Sequence, residues 1–230
     1  MEKTSPRDLI VKTLREKSSL KQSVYATTLQ AFNSMKAAAK QMATDLKKEA
    51  ATIDKRLVIE YKDKGAFEFE LRVAGDLLIF AMHTNIFDFD KSHQIWRTSY
   101  LKEDPFRSYC GIINIYNFLN DSFTYNRVND SGYVIGRIFT NKENHYFVEG
   151  KRQLGFLYND FVHDTLTPEA IVSVLESTIL YCINFDLYTP HFDTIKEISV
   201  ADMQTASEGM QIKTGKRLGF RFQADNDEFS

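Results

Sequence analysis

Glu149 and Lys151 stand one residue apart, with Gln153 two residues further on and Asp130 one hairpin upstream. Two carboxylates can hold a divalent cation while a lysine polarises an attacking water, so these residue types suit metal-dependent phosphodiester cleavage. His83, Asp88, Asp90 and His93 form a second set of metal-ligand types within one short segment. Their His-x9-His spacing matches no zinc arrangement, and Asp88-Phe89-Asp90 lacks the later acid and the glycine of a calcium loop. A third set comes from a near-repeat. Gly150-Lys151-Arg152-Gln153-Leu154-Gly155-Phe156 echoes Gly215-Lys216-Arg217-Leu218-Gly219-Phe220. Lys151, Arg152, Lys216 and Arg217, with glycine backbone N–H groups beside them, are suited to an anionic ligand. The phosphate-binding pattern G-x-x-x-x-G-K-[ST] is absent.

The Asp130, Glu149-x-Lys151 placement resembles the metal motif of the PD-(D/E)xK nucleases. That resemblance implies Asp130 and Glu149 as Mg²⁺ ligands and Lys151 as the group acting on water. The same acid-x-Lys spacing also occurs at Asp45-Leu46-Lys47 and Glu60-Tyr61-Lys62, so it discriminates weakly. Gly150 is also an unusual residue inside a strand. Each set has a plain structural reading beside the chemical one: a polar strand end, surface residues between apolar anchors, and two similar turns. An aromatic and basic series, Tyr125, Arg127, Tyr133, Arg137, Phe139, Tyr146 and Phe147, could stack nucleic-acid bases if all shared one sheet face. Neither G-x-S-x-G nor G-x-G-x-x-G occurs. Cys110 and Cys182 lie in apolar runs, where a thiol stays protonated and packs as a small hydrophobe.

The elements that must position these residues begin with a helix. Ser5 can cap it, with Pro6 in its first turn, and no Pro or Gly interrupts the chain from there to Ala51. Tyr25, Phe32, Ala39, Leu46 and Ile53 recur at heptad spacing, beside Met35 and Met42, while Thr28 and Glu49 spoil the seam. One long helix or two helices broken near Ser18-Ser19 fit equally, packed on the body or paired with a second copy. Alternation then predicts a hairpin, Leu57–Tyr61 and Phe67–Val73, turning at Lys62–Gly65, followed by a central strand Leu77–Met82. Residues 83–108 read as irregular, and residues 109–119 as strand or helix. A meander is predicted at Phe123–Val128, Tyr133–Thr140 and His145–Lys151, with turns at Asn129–Gly132 and Asn141–Asn144. Thr167-Pro168-Glu169 starts a second helix that runs to Asn184. Leu218, Phe220 and Phe222 alternate as a last strand, before a frayed tail at 225–230.

The predicted class is therefore α+β: an antiparallel sheet of about six or seven strands with helices on one face, preceded by a long N-terminal helix or helical hairpin. The layout is loosely similar to PAS-, GAF- and profilin-like domains. Domain organisation reads as a basic helical arm (1–54), a body (55–224) and a tail. The 230 residues are 43% hydrophobic and 26% charged, a globular balance. The net charge of -2 hides a split, since residues 1–55 hold 11 Lys/Arg against 6 Asp/Glu. An overall balance this close to neutral disfavours nucleic acid as a partner. No apolar run reaches membrane-spanning length and no signal-peptide core is visible, which makes the cytoplasm the expected compartment. No cofactor is indicated. The expectation is a non-enzymatic interaction module that meets a protein partner, or a second copy of itself, through the N-terminal helix. The alternatives are the E-x-K nuclease or phosphodiesterase and an anion-sensing domain.

Overall fold

The computed structural model describes residues 5–128, 130–151, 153–186, 191–201 and 203. Its first element, α1 (Pro6–Thr13), opens on a complete capping box: Asp8 N–H donates to Ser5 Oγ, and the Asp8 carboxylate accepts from Ser5 N–H. A single π-helical turn at Leu14–Ser18 joins it to α2 (Ser19–Ile53), 35 residues long. Of the two alternatives, a long helix or a break near Ser18-Ser19, the chain takes the first with a local underwinding, a wider turn that admits an extra residue without stopping the helix.

Six strands follow: β1 (Ile59–Asp63), β2 (Glu68–Val73), β3 (Asp76–Met82), β4 (Gly111–Leu119), β5 (Tyr133–Thr140) and β6 (Tyr146–Gly150). Each pairs antiparallel with the next, in the order β1-β2-β3-β4-β5-β6. A bulge between Ile115 and Tyr116 shifts the β4–β5 register. Short helices α3 (Ser99–Glu103), α4 (Asn120–Thr124), α5 (Gln153–Leu157) and α7 (Phe192–Ile195) punctuate the chain, and α6 (Pro168–Ile183) is the second long one. Thr167 Oγ1 accepts from Ala170 N–H to start α6, as its sequence predicts. No described helix is long and apolar enough to cross a membrane.

Both long helices lie on one face of the sheet. Phe32, Met35 and Ala39 of α2 and Val174, Leu175 and Cys182 of α6 belong to one buried cluster with Phe69, Leu71, Phe80, Ile113, Ile115 and Ile138 from the strands. The heptad seam therefore packs inward from Val24 to Ala50, while Ile53 is left exposed. Thr28, which breaks the seam's apolar pattern, is wholly buried and donates its hydroxyl to Val24 O at 2.8 Å. The polar atom is thereby satisfied within the helix. Lys36 crosses to the β1–β2 turn, donating to Asp63 Oδ1 at 2.8 Å and to Gly65 O.

Two segments differ from the sequence expectation. Phe123–Val128 is not a strand: Asn120–Thr124 is helical, with Asn120 Nδ2 donating to Thr124 Oγ1 at 3.0 Å. Here local side-chain bonding outweighs the β-propensity of an aromatic pair. The meander's first strand is instead β4, which settles residues 111–119 as strand. Residues 83–108 are also more ordered than "irregular" implies. They fold as 3₁₀ turns at Gln94–Arg97 and Pro105–Ser108 around α3, and build a second small core of Ile95, Tyr100, Leu101, Cys110, Phe139, Phe147 and Phe161. That core lies across Phe139 and Phe147, on the opposite face of the sheet from α2 and α6. The predicted strand at 218–222 and the tail at 225–230 lie outside the described residues.

Candidate functional site

Each chemical set from the sequence has a definite place. Glu149, on β6, stands opposite Arg137 and forms an ion pair with it, and its other oxygen lies 3.6 Å from His93 Nε2. Asp130 accepts from Ser122 Oγ at 2.7 Å and sits 3.9 Å from the mostly buried Arg127 guanidinium. Asp130 precedes Tyr133, which is four residues along β5 from Arg137, about 13 Å at a strand's rise. The structure thus does not bring Asp130 and Glu149 together. Lys151 and Gln153 are exposed at the end of β6 and the start of α5. Among the second set, His83 accepts from Asn85 N–H, Asp88 accepts from Ser108 Oγ at 2.6 Å, and Asp90 caps a turn at Ser92. That bond from Ser92 holds the Asp90 carboxyl below its usual range. Among the described residues, no group of three or more His, Cys, Asp or Glu is placed to hold a metal ion.

The glycine near-repeat has a packing explanation in its first copy. A Cβ on Gly155 would stand 2.3 Å from Gly150 O, and one on Gly150 2.8 Å from Leu154 Cβ. The two glycines let β6 turn directly into α5, which accounts for Gly150 at a strand end. Arg152, Lys216 and Arg217 lie outside the described residues. The aromatic and basic series does not form one surface: Phe139 and Phe147 face the second core, and Tyr146 faces the first.

Sequence reasoning missed the polar cluster that fastens residues 94–108 to the β5–β6 turn. Buried Asn141 donates to Tyr100 Oη at 2.9 Å and accepts from the backbone of Glu143 and His145. Tyr100 Oη donates to Glu143 at 2.8 Å. Arg107 lies over the Tyr100 ring, 4.2 Å from its centroid, and bonds Glu143 and Glu103. Lys142 meets Asp104 at 2.8 Å. Burial pushes the Tyr100 hydroxyl well above its ordinary range. Burial also raises Glu143, but hydrogen bonds from Tyr100 and Arg107 outweigh it and the net direction is down. The bond from Lys142 lowers Asp104. The only signal in the sequence was the Asn141-Lys142-Glu143-Asn144 turn, which names one side of this cluster and not the other.

Carboxylates with depressed values contribute stability above their unfolded range near pH 4, and that contribution is lost as pH falls further. Trp96, the one tryptophan, sits in the fastened segment, with its indole N–H donating to Asp90 O at 3.0 Å. Acid titration is therefore expected to red-shift Trp96 emission below about pH 4, ahead of loss of far-UV ellipticity. Coincident transitions would mean that this segment is not a separate acid-sensitive unit.

The sheet face opposite α2 and α6 carries paired charges at the β1–β2 side. Lys62 stands across from Glu70 and Glu60 across from Arg72, while Lys64 Nζ is 2.9 Å from Glu70. With Asn120 and Phe123 these residues line a depression of about 260 Å³, smaller than a typical small-molecule site. Opposite charges directly across a strand pair make a solvated, self-satisfied surface.

The N-terminal helix presents a different kind of surface. Lys17 and Lys21 reach the Tyr109 ring at 5.5 and 5.7 Å from its centroid. From Ser5 to Lys17 no residue is buried. The helix thus runs for about 18 Å with every residue exposed. On this extension Ile10, Val11 and Leu14 are 60, 47 and 56% exposed. They share one stripe at i, i+3 and i+4 spacing, flanked by Arg7, Arg15 and Lys17.

Compared with known proteins, the chain matches no family model, and no curated protein or solved structure matches it at a significant level.

Proposed function

We propose that this protein is a non-catalytic binding module that engages another protein surface through α1. The observation that carries the reading is the bare apolar stripe of Ile10, Val11 and Leu14 on a capped helix with no buried residue. A surface helix normally turns such a stripe toward a core. Contiguous exposed apolar surface rimmed by charge is a common mark of a protein contact. Two buried free thiols, Cys110 and Cys182, fit a reducing compartment such as the cytoplasm.

Deleting residues 1–17 tests this reading. The truncated chain is expected to keep the melting temperature of the full chain measured dilute and unassembled, because the deleted residues that are described are all exposed. In cross-linked extract of the native cells, the full chain is expected to run in complexes that the truncated chain does not enter. Identical size distributions for the two chains would sink the proposal.

A further inference from the structure

The outer side of α6 is unusual for a helix packed on a sheet. Its inward residues, Ile171, Val174, Leu175, Thr178, Ile179 and Cys182, are buried. On the opposite side, Val172, Glu176, Leu180 and Ile183 follow at i, i+4, i+8 and i+11, with Glu169 in line one turn earlier. At 100° per residue these five fall within a single crest. Val172, Leu180 and Ile183 are 36, 48 and 51% exposed. The crest thus joins apolar side chains to two carboxylates, and α6 carries no cation.

That pattern is the charge complement of the exposed N-terminal extension, α1 with the start of the π-helical turn. From Ser5 to Arg15 the chain has the three cations Arg7, Lys12 and Arg15 against Asp8, while Lys17 and Lys21 lie over Tyr109 of the same chain. Pairing two α1 helices with each other would bring like charge together, whereas the α6 crest offers Glu169 and Glu176. The two stripes are of similar kind: three apolar side chains flanked by charge, on helices of at least two turns. We infer that α1 of one copy lies along the outer crest of α6 in a second copy, each chain giving its helix to the other about a twofold axis. Reciprocal exchange closes the assembly at two chains, doubles the contact, and leaves neither of these two stripes free to propagate a filament. This inference rests on the reading of α1 as the docking element and names its occupant.

The test is light scattering on the purified full chain over a range of concentrations. The expected mass rises from 26.6 kDa to twice that value. Arg7→Glu with Arg15→Glu, and separately Glu169→Lys with Glu176→Lys, should each weaken the dimer by about tenfold or more. Combining all four should restore it. Leu180→Ser with Ile183→Ser leaves the start of α6 untouched and should also yield monomer, at the melting temperature of the parent chain diluted to monomer. A full chain that stays monomeric overturns the inference, while the extract experiment still decides whether α1 docks on a different protein. Dissociation by the α1 charge reversals with no effect of the α6 substitutions also overturns it, placing α1 elsewhere on the second copy. Sedimentation with phosphatidylserine vesicles by a monomeric chain overturns it in favour of a lipid surface.

Discussion

Gly111→Ala is expected to lower the melting temperature by about 6–12 °C. Gly111 opens β4 where α2 crosses it, and a Cβ there would stand 2.1 Å from Thr28 Oγ1, 2.7 Å from Thr28 Cγ2 and 2.8 Å from Thr28 Cβ. Thr28 is fully buried and its hydroxyl is committed to Val24 O, so the side chain has no open direction to turn. Either α2 lifts from the sheet or the strand bends. Overpacking of this kind costs about 3 kcal/mol, and each kcal/mol moves the midpoint of a chain this size by roughly 2–4 °C. Thr28→Ala removes the two nearest atoms that rotate about the Thr28 Cα–Cβ bond, and should return part of the loss when combined with Gly111→Ala. A melting point within about 1 °C of the parent for Gly111→Ala alone would mean that α2 does not approach β4 this closely.

Phe69→Ala is expected to cost more, about 3–5 kcal/mol. Its ring stacks on Phe80 with centroids 4.5 Å apart and meets Phe32 of α2 at 5.5 Å and Tyr61 at 5.7 Å. The side chain is completely buried, and it joins helix, first strand and central strand at a single point. Its removal leaves a cavity that three neighbours on different elements cannot collapse together. Phe156→Ala is the matched control, since that ring is 83% exposed and should change stability by less than about 0.5 kcal/mol. Equal losses at both positions in thermal unfolding would contradict the assignment of the core.

Much of the fold was legible because its periodicities are strong. The alternation of Phe67, Phe69, Leu71 and Val73 placed one sheet face, and Thr167-Pro168-Glu169 placed the start of α6. The helix seam could be read from Phe32 to Leu46, but not what covers it, because spacing alone does not tell a sheet from a second helix. The misread segment, Phe123–Val128, fails for a local reason: Asn120, Ser122 and Thr124 bond along the chain, which residue propensities do not capture. The site was less legible. The E-x-K set is a pattern of types at a spacing, and the fold separates its members by giving Glu149 to Arg137 and Asp130 to Ser122. The Tyr100–Asn141–Glu143–Arg107 cluster joins positions 36 to 43 residues apart, and no short-range motif encodes that meeting. The stripe on α1 was visible only as part of a long helix. Its significance lies in where the body ends, which depends on the position of Tyr109 relative to Lys17 and Lys21.

Amide hydrogen exchange over residues 6–17 distinguishes a docked α1 from a free one. It should be measured on the full chain in its assembled form and again on the same chain diluted until its mass is 26.6 kDa. A helix that extends past the body without a buried contact exchanges by local fraying, at a free energy far below that of the core. Strong protection of residues 6–17 on assembly is expected, with the strands unchanged. Equal exchange in the two states, or protection that appears on the open sheet face instead of α1, would contradict it.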